Sequence, residues 1–363
     1  MEMRKKFDEI FEDCTKLGTK IKTDEYHSNG KHPIIDQGQE MVAGFTDLED
    51  GLLDAVPAIV FGDHTRIIKY VDCPFFLGAD GVKVLRSKVP NANYRYLYYA
   101  LKNAKIPNTG YNRHYKWLKE LEIEYPPIDQ QVKTVKVLDK VESIIYNRQN
   151  QLQKLDELVK ARFVEMFGGI HDSSLYPYVP VKELTHVISG GTPSRDVLEY
   201  WRDGTIPWVK TTELQNKIIT EVDEHITSKG LAASSAKIVP PNTTLIAMYG
   251  QGKTRGMTGY LGISASTNQA CACILPSPEI NSVYIWKYFE LSYDKLRNMA
   301  KGGNQPNLNG NMIKNFPVLV PPIKRQEEYV QFVNQVDKSK VAVQKSLDEA
   351  QLLFDSLMQH YFG

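Results

Sequence analysis

The chain has 363 residues, 42% of them apolar and 24% charged, with a formal net charge of +1. That composition suits a globular protein of two or three domains and excludes a disordered, collagen-like or disulfide-stapled chain. A net charge so near zero means that any nucleic-acid surface must be local, because phosphate contacts need clustered Lys and Arg.

The N-terminal stretch MEMRKKFDEIFEDC has no apolar signal-peptide core, and no run reaches the roughly 18 apolar residues of a membrane span. A cytoplasmic location with no membrane partner is expected. Cys14, Cys73, Cys271 and Cys273 form no C-x-x-C pair and no zinc-spaced Cys/His set. Cys271 and Cys273 alternate with alanines in a strand-like ACACILP, the pattern of buried free thiols in a reducing compartment.

Taken in order, residues 1–125 form a turn-rich, strand-rich block. It opens with a short helical stretch and a glycine-containing turn (FDEIFEDCTKLGTK) and offers an amphipathic helix near 93–102 (NYRYLYYALK). Residues 126–168 read as one long helix. Paired prolines stand at its head, where a missing N–H costs little, and Gly168 marks its end. Residues 169–320 repeat the first plan: a short helix, a Gly-rich turn, a strand at Ile206–Thr211 and a helical stretch at 282–300 (SVYIWKYFELSYDKLRNMA). Residues 321–363 are a second long helix.

The two long helices are copies. Pro126–Gly168 and Pro321–Gly363 align without a gap at an offset of 195 and share 11 identities over 43 residues, including the opening PPI and the closing FG. Both carry a heptad seam. The first is Leu138, Val141, Ile145, Arg148, Leu152, Leu155, Val159, Arg162, Met166; the second is Val333, Val336, Lys340, Val343, Leu347, Ala350, Phe354, Leu357, Tyr361. Two such stripes in one chain most simply bury against each other. A helix of about 36 residues is roughly 54 Å long, more than one turn of DNA. The globular blocks also echo one another: Tyr249-Gly250 leads to Thr254-Arg255 as Phe61-Gly62 leads to Thr65-Arg66, with one residue of insertion.

These features resemble a specificity subunit of a type I restriction–modification system. The resemblance is carried by Gly190-Gly191-Thr192-Pro193-Ser194, Tyr200-Trp201, Ile206-Pro207-Trp208-Val209, the GGNQPNL run from Gly302 to Leu308, and PPI-x-x-Q at the head of each long helix (Gln131, Gln326). The first block lacks the GGTPS and IPWV spellings. The resemblance implies an α+β chain with two β-rich target-recognition domains, separated by two long antiparallel, coiled-coil helices. It implies that each domain reads one half of a bipartite, asymmetric site on double-stranded DNA and that the helices set the gap. It further implies two methyltransferase subunits as partners, restriction/translocase subunits in the full complex, and no catalytic site, cofactor or metal in this chain. Unlike recognition blocks on near-identical helices agree with a non-palindromic site and two copies of one partner.

Recognition is expected on loops. In YGQGKTRG, Tyr249–Gly256, glycines permit close backbone approach. Tyr249, Gln251, Lys253, Thr254 and Arg255 are the candidates, the cations for phosphate or guanine and the amide for adenine. FGDHTR in the first block offers His64 and Arg66. The run Lys301–Asn307 offers Lys301, Asn304 and Gln305, matched in the first block by Asn108, Tyr111 and Arg113. Lys210 and Thr211, after Trp208, complete the set. Trp201 and Trp208 read better as core than as base-stacking platforms.

Enzyme readings fare worse. AMYGQGKT (Ala247–Thr254) fits a loose phosphate-loop spelling, but the glycine-rich, β-branched sequence after it cannot be the helix such a loop requires. No methyltransferase cofactor loop, clustered nuclease carboxylates, H-x-x-x-H pair or G-x-S-x-G elbow occurs. The alternative is a coiled-coil adaptor whose β-rich blocks bind proteins. It does not require matched glycine–amide–basic loops in both blocks.

Overall fold

The computed structural model describes residues 4–78, 81–110, 112–250, 252–300 and 307–363. In chain order the first half holds β1 (Arg4–Lys6), α1 (Phe7–Ile10), β2 (Phe11–Asp13), β3 (His32–Ile35), β4 (Gly44–Thr46), β5 (Ala58–Gly62), β6 (Ile68–Val71), β7 (Phe76–Leu77), β8 (Val82–Ser87), α2 (Tyr94–Lys102), α3 (Tyr115–Lys119), β9 (Glu122–Glu124) and α4 (Ile128–Phe167). The second half holds β10 (Tyr178–Pro180), α5 (Val181–Leu184), β11 (Val187–Ser189), β12 (Ile206–Val209), β13 (Lys217–Ile219), β14 (Glu224–Ile226), α6 (Ser228–Ala232), β15 (Thr244–Ala247), β16 (Thr258–Leu261), β17 (Ser266–Thr267), β18 (Cys271–Ile274), α7 (Ser282–Leu291), α8 (Tyr293–Met299), α9 (Gly310–Lys314), β19 (Pro317–Leu319) and α10 (Ile323–Phe362).

The chain forms two compact units. Unit 1 is Met1–Asn150 with Gln344–Gly363, and unit 2 is Gln151–Val343. Their topologies match, with one added strand in unit 2. Unit 1 has the sheet β2-β8-β5-β6, a small sheet β4-β3-β7 in which β3 and β7 are parallel, and the pair β1-β9. Unit 2 has β11-β18-β15-β16, extended by β13, then β14-β12-β17 with β12 and β17 parallel, and the pair β10-β19. The central strands β5 (AIVFG) and β15 (TLIA) are buried along their whole length, as strands covered on both faces must be. Cys271 and Cys273 are buried free thiols in β18, as their alternation with alanine predicted.

Each unit completes its core with a stretch of both long helices, which span 40 residues apiece. In unit 2, Phe163 and Phe167 of α4 meet Tyr329 of α10 and Tyr284 of α7 in one aromatic cluster, all four fully buried. Burial of each such ring is worth on the order of 2–3 kcal/mol. In unit 1, Leu138 and Val141 of α4 share a core with Phe354 and Met358 of α10 and with α2. Within each unit the two helices run antiparallel: Asp156 meets Lys340 and Val159 meets Tyr329 in unit 2, while Arg148 meets Ser346 in unit 1. Every seam residue of both heptad stripes is buried or half-buried. The polar seam positions are accommodated locally: Lys340 lies 2.5 Å from Asp156, and Arg148 donates to the Ser346 hydroxyl at 3.2 Å.

Two elements differ from those the sequence predicts. The stretch 282–300 is two helices, because Ser292 turns out of register and its hydroxyl takes the Tyr288 carbonyl at 2.7 Å. The strand expected at Ile206–Thr211 stops at Val209; Thr211–Glu213 is a tight 3₁₀ turn.

The PPI-x-x-Q motif has a plain physical role. Gln131 and Gln326 are both 1% exposed, and each donates its amide N–H to the carbonyl of the first proline, Pro126 or Pro321, at 2.8 Å. Gln326 also accepts from the Asn281 backbone N–H at 2.9 Å, tying the N-cap of α7 to the head of α10. The Gln131 Oε1 is buried with no hydrogen-bond partner among the described residues. Losing a buried hydrogen bond and stranding its partner costs about 1–3 kcal/mol. Gln326→Ala is therefore expected to lower the chemical-denaturation midpoint more than Gln131→Ala. The opposite order would contradict this account.

Candidate nucleic-acid interface

In unit 2 the loop between β15 and β16 carries half of the candidates. Gly250, Gly252 and Gly256 have φ of 148°, 56° and 88°, a conformation that side-chain-bearing residues rarely adopt, so the glycines are required by the loop's path. Its base is closed by bonds from Ala247 N to Met257 O and from Gly256 N to Ala247 O, both 2.9 Å. Tyr249 and Lys253 are exposed; Thr254 and Arg255 are half-buried. After Thr254 the chain turns directly into β16, so no helix N-terminus is present and the loop cannot cradle phosphates as a nucleotide-binding loop does.

Helix α8 braces this loop from behind. Arg297 Nη1 donates to the Gly252 carbonyl at 2.8 Å and the Arg255 carbonyl at 3.0 Å, and the Tyr293 hydroxyl donates to the Lys253 carbonyl at 2.7 Å. Three consecutive-region carbonyls are thereby held, which fixes where the side chains of residues 253–255 emerge. Sequence reasoning missed Arg297 and Tyr293, which there look like surface positions of an amphipathic helix.

Lys210 sits differently from expectation. Its ammonium is 2.9 Å from Glu224 and 3.3 Å from Asp223. The Glu224 carboxylate raises the Lys210 pKa, while Arg195 and Lys210 together hold Glu224 below the usual carboxylate range. A phosphate would have to compete with two carboxylates for this lysine. Thr211 is half-buried at the start of the 3₁₀ turn. Beside them, Asn268 N donates to Val209 O at 3.0 Å, and exposed Gln269 bonds the Thr192 hydroxyl. These amides join the same loop edge, and the spelling STNQ was their overlooked signal. Gln251, Lys301, Asn304 and Gln305 lie outside the described residues.

Unit 1 builds the equivalent edge. His64 and Arg66 lie in the β5–β6 hairpin loop, residues 63–67, five residues against ten in unit 2. His64 is held by Gln37, whose side-chain oxygen accepts from His64 N at 3.2 Å, and its ring meets the Asn112 carbonyl at 3.2 Å. Arg66 adopts φ 64° and donates to the Ile106 carbonyl at 3.2 Å. Buried His114 donates from Nδ1 to the Asp63 carbonyl at 2.9 Å, leaving Nε2 to accept from Thr109. Loop 63–67 is therefore bonded to Ile106, Asn112 and His114, and Asn108 and Arg113 lie between these anchors in the chain. Asn108 and Arg113 are exposed; Tyr111 lies outside the described residues. Gln37, which follows β3 as Thr211 follows β12, is the unit 1 residue that sequence reasoning missed.

A family model, the type I restriction modification DNA specificity domain, matches residues 3–157 and again 175–350. The chain belongs to the type I restriction–modification DNA specificity family. As a specificity subunit it is the non-catalytic, DNA-recognising member of such a system. It is similar to the EcoR124I/EcoR124II specificity subunit of Escherichia coli, 22% identical over 336 residues, covering 87% of this chain and 82% of that one. It is also similar to the MjaIX specificity subunit of Methanocaldococcus jannaschii, 27% identical over 165 residues, 43% of this chain and 37% of the relative. Among solved structures, the S subunit of a type I system from M. genitalium shares the fold with a TM-score of 0.60 at 16% identity, covering 99% of this chain and 96% of that one.

The specificity subunit's GGTPS and IPWV spellings are structural. Trp208 is buried, donates its indole N–H to the Gly191 carbonyl at 2.9 Å and packs edge-on against Trp201. Trp201 in turn donates to Ser194 O at 3.0 Å, and Arg195 stacks 3.7 Å above its ring. The indoles thus pin the Gly-rich turn in place.

A second duplicated feature lies away from these loops. In unit 1 a cavity of about 1000 Å³ is lined by Glu142, Tyr146, Gln351, Phe354 and the recognition-domain residues Arg95 and Met41. In unit 2 a cavity of about 800 Å³ is lined by the positions 195 away, Asp337, Val341, Asp156 and Val159, with Trp286 and Ile218. Tyr146 and Val341 are 63% and 71% exposed, so both copies leave an apolar side chain open at the same place. Electrostatics differ: burial pushes Glu142 up, but Lys102, Arg95 and Tyr99 outweigh it and hold the carboxylate low, whereas burial raises Glu290 of unit 2 despite Lys287.

The brace makes a direct prediction. Arg297→Ala should leave the melting temperature within a few degrees of wild type and weaken binding to the DNA target about tenfold, the loss of one or two hydrogen bonds to the loop. Unchanged affinity in a titration of the assembled complex would show that α8 does not position the loop.

Proposed function

We propose that the specificity subunit reads a bipartite, asymmetric sequence on double-stranded DNA. Unit 1 takes one half-site and unit 2 the other, and the pair of long helices sets the gap between them. The observation that carries this reading is the duplication of one loop edge on two matched topologies with different side chains. His64 and Arg66 stand in unit 1 where Tyr249, Lys253, Thr254 and Arg255 stand in unit 2, and Asn108 and Arg113 fall where the run Lys301–Asn307 falls in the second half of the sequence. Thr211 and Lys210 flank the second edge, with Lys210 the weaker candidate because of its carboxylate partners. Matched scaffolds with unlike loops suit two different half-sites. Gln251, Lys301, Asn304, Gln305 and Tyr111 are proposed DNA contacts from their place in the sequence alone.

In this reading two methyltransferase subunits dock on the duplicated cavities beside the long helices, where Tyr146 and Val341 are exposed, and restriction/translocase subunits join them. One structural neighbour, with a TM-score of 0.53 at 16% identity, comes from work on complex assembly and conformational transition of the type I system. The complex would act on DNA in the cytoplasm, and among the described residues no helix is long and apolar enough to cross a membrane.

A genome-wide adenine-methylation map of the source cell, with and without this gene, tests the proposal. A split, asymmetric motif methylated on both strands should disappear when the gene is removed. Identical maps, together with failure to co-purify a methyltransferase, would contradict it.

A further inference from the structure

Resting on the reading of unit 1 as a DNA-binding unit, we propose that it grips the phosphate backbone through a cationic track formed by Lys105, Arg113, Lys116 and Lys119. This grip adjoins the edge that reads bases and shares Arg113 with it, while Lys105, Lys116 and Lys119 lie outside that edge. Residues 104–119 hold these four cations and not one carboxylate. All four are exposed. Other cations of the same unit are already committed: Lys69 to Asp36, Lys83 to Asp13, and Arg95 and Lys102 to Glu142. In a protein whose net charge is only +1, these four exposed cations form a local block of positive charge uninterrupted by a carboxylate in sequence.

The track is built, not merely exposed. Lys116 Nζ lies 4.8 Å over the Trp117 ring, and Lys119 Nζ lies 5.3 Å over Tyr115, which Lys83 also approaches at 4.9 Å. Aromatic faces hold the ammonium groups along the surface and reduce the rotamer freedom lost on binding. The segment is also locked to the reading loop. Tyr115 N donates to the Asp63 carboxylate at 2.7 Å, His114 N to the Asp63 carbonyl at 2.8 Å, and the His64 ring meets the Asn112 carbonyl. Where the hairpin loop of unit 1 meets DNA, the lysines of α3 travel with it.

Lysine is a compact point charge without the fork that pairs with guanine, so Lys116 and Lys119 suit phosphate rather than base edges. The equivalent helix of unit 2, α9 (GNMIK), carries Lys314 alone. Unit 1 would thus supply the larger salt-dependent share of the grip.

The test is a salt titration of the full chain in its assembled methyltransferase complex, by fluorescence anisotropy on a duplex carrying its methylated motif. Each phosphate contact adds roughly 0.9 to the slope of log affinity against log salt. The Lys116→Ala, Lys119→Ala double variant is expected to flatten that slope by about two. It should weaken binding at least tenfold near 0.15 M salt and leave the ranking of mismatched duplexes unchanged. The Lys116→Arg, Lys119→Arg variant, which keeps charge and ring contact, should retain the wild-type slope. An unchanged slope in the alanine variant, or an arginine variant as impaired as the alanine one, would overturn the track while leaving unit 1 a DNA reader. A wild-type complex with no affinity for the duplex would overturn both.

Discussion

Two recognition units share one requirement: neither closes its core without a face of both long helices. In unit 2 the aromatic cluster of Phe163, Phe167, Tyr284 and Tyr329 draws on α4, α7 and α10 at once, and in unit 1 Leu138, Val141, Phe354 and Met358 play the same part against α2. Rings and aliphatic groups buried this deeply cost about 2–5 kcal/mol each to remove. The helices are thus structural members of both domains, and the position of each reading loop is referred to them through a short chain of contacts: loop to sheet, sheet to α2 or α7, and that helix to α4 and α10.

The hydrogen-bonded features that repeat are those the scaffold needs. The buried glutamines behind Pro126 and Pro321 repeat, as do Tyr96 and Tyr284, whose hydroxyls donate to the carbonyls of Glu124 and Leu319 at 3.0 and 2.9 Å. The features that differ are at the reading edge and around the cavities. Unit 1 has a five-residue hairpin loop stitched to a basic segment; unit 2 has a ten-residue glycine-rich loop braced by an extra helix. A scaffold held constant by burial leaves its loops free to vary without risk to the core, which is the property that the proposed reading of two unlike half-sites requires.

Much of this was legible in the sequence because it rests on periodicity. The offset of 195 and the heptad seams place both long helices, and the seam residues are buried or half-buried throughout. Phe163 and Phe167 were not legible, since they lie off the seam, and their burial draws on Tyr284 of the recognition domain as well as on Tyr329 of the partner helix. The break at Ser292 left no signal because serine is a tolerable helix residue; only its bond to Tyr288 O reveals the turn. At the reading edge, glycine and cation patterns found the hairpin loops but could not show what restrains them. Lys210 looked like a free cation until Asp223 and Glu224, more than ten residues on, folded back onto it. Arg297 and Gln37 hold recognition loops from elements remote in sequence, and such long-range contacts leave no local pattern.

The central claim is that the helix pair fixes the distance between two independent readings. The direct measurement is the methylated motif of a variant with one heptad inserted into both α4 and α10 at positions 195 apart, which preserves the phase of both seams. Seven residues lengthen a helix by about 10 Å, the rise of roughly three base pairs. The account predicts that both half-sites keep their bases while the gap between them grows by about three. An active variant whose gap is unchanged, or whose half-sites change, would contradict it.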